Sequence, residues 1–509
     1  MAQTLEFSGR SSGVLLHPTS LPGPGVGDLG PSARRFVDWL VDAGQSCWQI
    51  LPLVPVDSGG SPYNGLSALA GNPLLLSPRL LADEGLLEPD EAEKEDGFPN
   101  DTVDFAAVLA WKDALLRTAY RRLLEGRVPH LLAPFDEFRE ENESWLSDYS
   151  LFRAVRDHHA GASWLEWPED IRSRQPEALE RWKQLLSWEV DRYAFQQYLF
   201  HRQWRALHEY ANDRGIRIIG DLPIFVAHDS ADVWANPGIF QLDGNGRPTV
   251  VAGVPPDYFS ATGQRWGNPL YRWDVLRRRH FDWWVERFRR TLAMVDVLRV
   301  DHFRGFESYW EIPAEEETAV AGRWVKGPGA EFFRALEREL GPLPIIAEDL
   351  GLITPEVDEL RRELDFPGMR VIQFAFDGDP ANTHLPVNYT AASVAYTGTH
   401  DNDTIVGWWA AAGTPEREQA RLSLKEPQPD AWDFIRAVLS SSADLAIIPL
   451  QDLLSLPSGA RMNTPGRATD NWTWRLAEHD PDDAIAARLR NLTERTNRLP
   501  AMTARGPSE

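Results

Sequence analysis

Eight short apolar runs punctuate the chain, each closing on a turn or charged residue. They are SGVLLHP (12–18), CWQILPL (47–53), IRIIGDLPI (216–224), VDVLRVDH (295–302), PIIAEDL (344–350), MRVIQFAF (369–376), SVAYTGTHD (393–401) and LAIIPLQDL (445–453). Near-continuous apolar runs of this length predict strands buried on both faces. Between several of them the apolar spacing changes to that of an amphipathic helix, as in SARRFVDWLVDAG at 32–44 and EFFRALERELG at 331–341. Alternating strand and helix predict a parallel sheet with right-handed crossovers, and eight such units predict a closed (β/α)8 barrel. A doubly wound open sheet is the alternative. It would carry a glycine-rich phosphate loop after an early strand, and PGPGVGDLG at 22–30 lacks that spacing.

The runs are unevenly spaced. About 160 residues separate the second from the third, far more than a simple crossover needs. Helical periodicity in VDFAAVLAWKDALLRTAYRRLLEG and DRYAFQQYLFHRQWRALHEYANDRG predicts a mainly helical insertion over 55–215. A second insertion, 225–290, is rich in Gly, Pro and aromatics and predicts turns, a hairpin and a long loop. Residues 1–509 then form one catalytic barrel with two insertions.

Three carboxylates sit at the ends of strand-like runs: Asp301, Glu348 and Asp401. A single strand-end acid is commonly a solvated turn former, but three converge on the C-terminal face, where barrel active sites gather. Arg299 and Asp301 are two apart and so share a strand face, which predicts that the guanidinium favours an ionised Asp301. Glu348 follows the apolar run PIIA, where desolvation and a neighbouring anion should raise its pKa and keep it protonated. Asp401 lies between His400 and Asn402, among groups suited to gripping hydroxyls and opposing positive charge. One nucleophile, one acid/base and one stabilising anion are what cleaving a glycosidic bond requires. A metallohydrolase is the rival reading, since Asp221, His302, Glu348, His400 and Asp401 are all ligand types; the first run, however, supplies only His17 instead of a His-x-His pair.

Composition narrows the partner. Lys and Arg total 52 against 76 Asp and Glu, a net charge of −24 that repels nucleic acid and anionic membranes. The lone cysteine, Cys47, excludes an internal disulfide framework and suits a reducing cytosol. The N-terminus lacks the pattern of a secretory signal, and no apolar run reaches the roughly 18 residues of a membrane span, so a cytoplasmic protein is expected. The 21 tryptophans exceed ordinary usage; most should be core, yet flat rings near a cleft suit the apolar faces of sugars.

At its motifs the chain strongly resembles the amylomaltase or disproportionating-enzyme type of 4-α-glucanotransferase, glycoside hydrolase family 77 of the α-amylase clan. The likeness runs through GVLLHPTSLP, WQILPLVP, SPYNGLSALAGNP, GDLPIFVAHDSADVWANP, GVPPDYFSATGQRWGNPLY, LRVDHFRGF, IIAEDLG, FPGMRVIQFAF, YTGTHDNDT, RMNTPG and NWTWR. It implies a retaining double displacement with Asp301 as nucleophile, Glu348 as acid/base and Asp401 as transition-state stabiliser. It places Tyr63, Asp221, Arg299, His302 and His400 around the sugar at the cleavage site. It reads GVPPDYFSATGQRWGNP as a lid, with Tyr258, Phe259 and Trp266 stacking on the glucan. The implied activity cleaves an α-1,4-glucan and passes the donor part to the 4-hydroxyl of another glucan, or back on itself to give a cyclic product. No cofactor or metal is expected, and a monomer is. An amylase-type hydrolase with the same acids is the nearest rival, and a non-catalytic glucan-binding barrel is a rival of another class.

Overall fold

The computed structural model describes residues 9–93, 97–256, 260–467, 469–477 and 481–500. Twelve strands occur among them: β1 (Ser11–Leu15), β2 (Cys47–Gln49), β3 (Arg217–Pro223), β4 (Val250–Val254), β5 (Gln264–Pro269), β6 (Val297–Asp301), β7 (Ser308–Pro313), β8 (Arg323–Lys326), β9 (Ile345–Ala347), β10 (Gly368–Val371), β11 (Ser393–Tyr396) and β12 (Leu445–Pro449). Eight close a barrel in the order β1-β12-β11-β10-β9-β6-β3-β2, with every pairing parallel. Each predicted run overlaps one barrel strand, so the (β/α)8 expectation holds.

Alternation along the strands explains the barrel's layers. Leu15, Cys47, Ile219, Val297, Ile346, Val371, Val394, Tyr396 and Ile447 belong to the cluster inside the barrel. Their neighbours Val14, Trp48, Ile218, Leu298, Val300, Ala347, Ala395 and Ile448 pack outward into the helical layer. A period of two thus sends one set to the axis and the other to the helices. Both layers are apolar, which is why the runs read as continuous rather than alternating. The run at 393–401 overshoots: its ladder ends at Tyr396, and Asp401 lies in the following loop. Residue type alone does not mark where pairing stops.

Between β2 and β3 lie several helices, the longest being Phe105–Leu124, Glu143–His158 and Ser187–Asn212. The last also packs against β3 and against helix Pro31–Asp42, with the Trp204 indole donating to the Met294 carbonyl at 2.9 Å. It therefore serves as the crossover helix feeding β3. Beyond β3, strands β4 and β5 form the hairpin foreseen there, with a bulge between Val251 and Gly253. The hairpin does not stand alone, because β7 and β8 extend it to an antiparallel sheet in the order β5-β4-β7-β8. The segment after β6 carried no strand expectation. Its charged loop EEE at 315–317 interrupts the pattern, and pairing with a distant hairpin has no local signature.

At the other end of the barrel a single arginine ties strand starts together. Arg498 is fully buried, and its guanidinium donates to the carbonyls of Leu439 (2.6 Å), Ser11 (2.9 Å), Asp444 (3.3 Å), Ser441 (3.1 Å) and Ala443 (2.7 Å). Ser11 opens β1, and Asp444 immediately precedes β12.

Candidate active site

Strand register positions the charged residues of the site. Asp221 on β3 lies directly opposite Arg299 on β6. Both follow inward-facing residues, Ile219 and Val297, by two positions, so both point to the axis. Their ion pair closes at 2.6 Å, nearly all of it buried. Arg299 reaches Asp301 at 3.0 Å with its other terminal nitrogen, and the Tyr63 hydroxyl donates to Asp221 at 2.7 Å. Burial alone would lower the Arg299 pKa, but Asp221 and Asp301 outweigh it and hold the guanidinium charged. Burial, reinforced by Asp221, keeps the Tyr63 phenol protonated.

Glu348 arrives from the adjacent strand. Val300 pairs with Ala347, and one step further the Glu348 amide donates to the Val300 carbonyl at 3.1 Å, which sets Glu348 beside Asp301. Its carboxyl accepts from the backbone amides of His302 (2.7 Å) and Leu350 (2.8 Å). His302 holds a left-handed φ of 50°, sparsely populated for a residue with a Cβ, and this kink aims its amide at Glu348.

These neighbours separate the two carboxyls. Burial first, and the Asp301 charge second, push Glu348 up to about 8. Asp301 is also raised, to about 6, by burial and then by Asp221 and Asp401 against the lowering effect of Arg299. Arg299 sits where the two-residue spacing put it and favours the ionised form of Asp301, as expected, but desolvation and neighbouring anions outweigh it and leave a net rise. Asp301 keeps 27% of its side chain exposed, so water reaches it and tempers the rise. At neutral pH the pair holds one proton, chiefly on Glu348.

Asp401 stands across the cleft in the loop after β11, 43% exposed and close enough for its charge to act on Asp301. It accepts from the Asn463 side-chain amide at 2.6 Å, and its backbone carbonyl accepts from Arg461. The His400 ring lies 3.4 Å from its carboxylate and stacks on Tyr63 with centroids 5.0 Å apart. On the opposite side, Trp266 is 39% exposed and meets the His302 ring edge-on at 4.9 Å. Burial pushes the His302 imidazole down to about 3, so it is neutral.

Tyr63, Asp221, Arg299, Asp301, His302, Glu348, His400 and Asp401 therefore line one site, with Trp266 at its rim. Tyr258 and Phe259 lie outside the described residues. Asn463, Arg461 and Trp472 had been given no role. Trp472, at a left-handed φ of 68°, packs on both Tyr63 and His400. Their only signal was the pair of motifs RMNTPG and NWTWR, since a loop 60 residues past Asp401 has no periodicity to read. No group of three or more metal-ligating side chains occurs among the described residues.

The family model for 4-alpha-glucanotransferase matches residues 16–480. The chain belongs to the 4-alpha-glucanotransferase family. The enzyme of that name from Thermus thermophilus is 50% identical over 96% of this chain and 99% of its own length. That of Synechocystis is 50% identical over 95% and 97%. An amylomaltase from Streptococcus agalactiae, solved in complex with acarbose, superposes with a TM-score of 0.93 at 39% identity, covering 96% of this chain and 99% of that one. The protein is thus a glucanotransferase enzyme, and neither the hydrolase nor the non-catalytic barrel is favoured.

Proposed function

We propose that this 4-α-glucanotransferase works by a retaining double displacement on α-1,4-glucans, with Asp301 as nucleophile, Glu348 as acid/base and Asp401 as stabiliser of the oxocarbenium-like centre. The carrying observation is the pair of lateral neighbours, Asp301 and Glu348, whose proton affinities are pushed apart. Asp301 attacks the anomeric carbon while Glu348 protonates the leaving oxygen. Glu348, now ionised, takes the proton of an incoming 4-hydroxyl, and the glycosyl–Asp301 bond breaks to form the new glycosidic link. Tyr63, Asp221, Arg299, His302 and His400 hold the sugar and set the field. Trp266, with Tyr258 and Phe259, covers the glucan and keeps water from the intermediate. The enzyme acts on maltooligosaccharides and amylose in starch or glycogen turnover, as a cytoplasmic monomer. The cytoplasmic reading rests on the lone, buried free thiol of Cys47, which suits a reducing compartment. Sedimentation at one protomer's mass checks the monomer.

Maltotriose decides between transfer and hydrolysis. A ladder of longer and shorter products without net gain of reducing ends is expected; net gain alone would mean a hydrolase. In the same assay, Tyr258→Ala with Phe259→Ala is expected to raise the ratio of hydrolysis to transfer, and an unchanged ratio would remove the lid from the mechanism.

The pH profile follows from the two shifts. Asp301 must be ionised, so activity falls as pH drops through about 6. Glu348 must carry its proton, so activity falls as pH rises through about 8. A bell in kcat/KM with limbs near those values is expected. A profile flat from 5 to 9 would contradict the assignment.

A further inference from the structure

Two large apolar side chains lie exposed just beyond the acid/base. Trp324 on β8 is 40% exposed, and Leu352, four residues after Glu348, is 54% exposed. They are joined by a buried arginine. The Arg304 guanidinium sits 3.8 Å from the centroid of the Trp324 ring and donates to the Leu352 carbonyl. Arg304 follows Asp301 by three positions, so the patch is continuous with the catalytic loops rather than remote from them. Trp310, the cross-strand partner of Trp324, meets its ring at 5.1 Å and 70° and is itself fixed by donating to the Ala319 carbonyl at 2.9 Å. The indole is thus held from two sides and still open to solvent.

We infer that Trp324 and Leu352 form an outer acceptor subsite, a platform for glucose units of an α-glucan acceptor beyond those at the reacting end. The inference rests on the reading of Glu348 as acid/base. Glu348 receives the proton of the acceptor's 4-hydroxyl, so the acceptor enters on its side. Only the non-reducing end of the acceptor reacts, and the remainder of the chain must leave the barrel toward its reducing end. On this inference the chain leaves past the residues that follow Glu348 and Asp301, and meets Leu352 and the open side of Trp324. A flat indole matches the apolar face of a pyranose and leaves the hydroxyl rim to water. Ring fixation by Arg304 and Trp310 lowers the ordering cost of binding.

The test uses the full-length enzyme with α-maltosyl fluoride as donor and a series of acceptors from glucose to maltohexaose. In Trp324→Ala the ratio of kcat/KM for maltohexaose to that for glucose is expected to fall about tenfold, through KM for the long acceptor, because one stacking contact is removed. Trp324→Phe, which keeps a flat ring, is expected to restore most of the ratio, and Leu352→Ser to lower it in part. An equal loss with every acceptor would overturn the proposal, since it would mean that Trp324 acts only by supporting Arg304 and the fold. No loss with maltohexaose would overturn it too. Failure of the underlying reading is seen separately: Glu348→Gln would then turn over every acceptor at the normal rate.

Discussion

Asp301→Asn is expected to lower transfer from a natural glucan by about four orders of magnitude, or roughly 5–6 kcal/mol of transition-state stabilisation. Asparagine keeps the shape and leaves Arg299 and Asp221 paired at 2.6 Å, but it cannot form the glycosyl ester. Glu348→Gln is expected to cost about two to four orders, the usual range for a positioned proton donor. The leaving group separates the two roles. A fluoride departs without protonation, so α-maltosyl fluoride should restore much of the first step in Glu348→Gln and none of it in Asp301→Asn. Equal rescue in both variants would overturn the division of labour. Loss of fold does not account for the effect of Glu348→Gln. A carboxyl raised by burial contributes stability that is present below its unfolded pKa and lost as pH rises through its folded value. For Glu348 that loss is complete above about 8. Its neutral amide therefore relieves strain there, and thermal unfolding at pH 8.5 should show Glu348→Gln at least as stable as the parent.

The second large effect is on stability. Arg498→Ala is expected to destabilise the protein by about 3–5 kcal/mol, because it removes the charged donor that buried carbonyls share and leaves a void in its place. Burial, with repulsion from Arg10, pushes the Arg498 pKa down to about 9, which still leaves it charged at neutral pH. Its planar fork spreads over five acceptors from both sides of the β1–β12 seam. Arg498→Lys has at most three donors from one nitrogen and should recover only part of the loss. For a chain of this size the alanine variant should lower Tm by about 3–5 °C. The seam lies at the N-terminal ends of the strands, away from the carboxylates, so kcat of the folded fraction at 25 °C should hold. An unchanged Tm would show that water satisfies those carbonyls equally well.

Some of the site was legible in residue order and some was not. The spacing of Arg299 and Asp301 is a local fact, and the 3.0 Å contact follows from the pleat. The apolar run before Glu348 foretold its raised pKa, since strand burial brings desolvation with it. The lowering effect of Arg299 on Asp301 was legible because that cation is two positions away, whereas the anions that raise it come from farther, Asp221 from 80 positions and Asp401 from 100. Asn463 and Trp472 were invisible for the same reason: each reaches the site from a loop whose path depends on packing.

By itself, the sequence determined the barrel, through eight apolar runs set between helical periods, and the three acids at or beyond the strand ends, through their positions in those runs. Periodicity is a property of neighbours in the chain, so it survives without a fold. Tertiary structure decided what pairs with what. The β3–β6 register set Asp221 against Arg299, the closure of β6 on β9 set Glu348 beside Asp301, and the pairing of β7 and β8 with a distant hairpin set Trp324 against Arg304. Those contacts depend on register and closure, which no short stretch of chain encodes. The separation of the proton affinities of Asp301 and Glu348 is therefore a product of the assembled barrel.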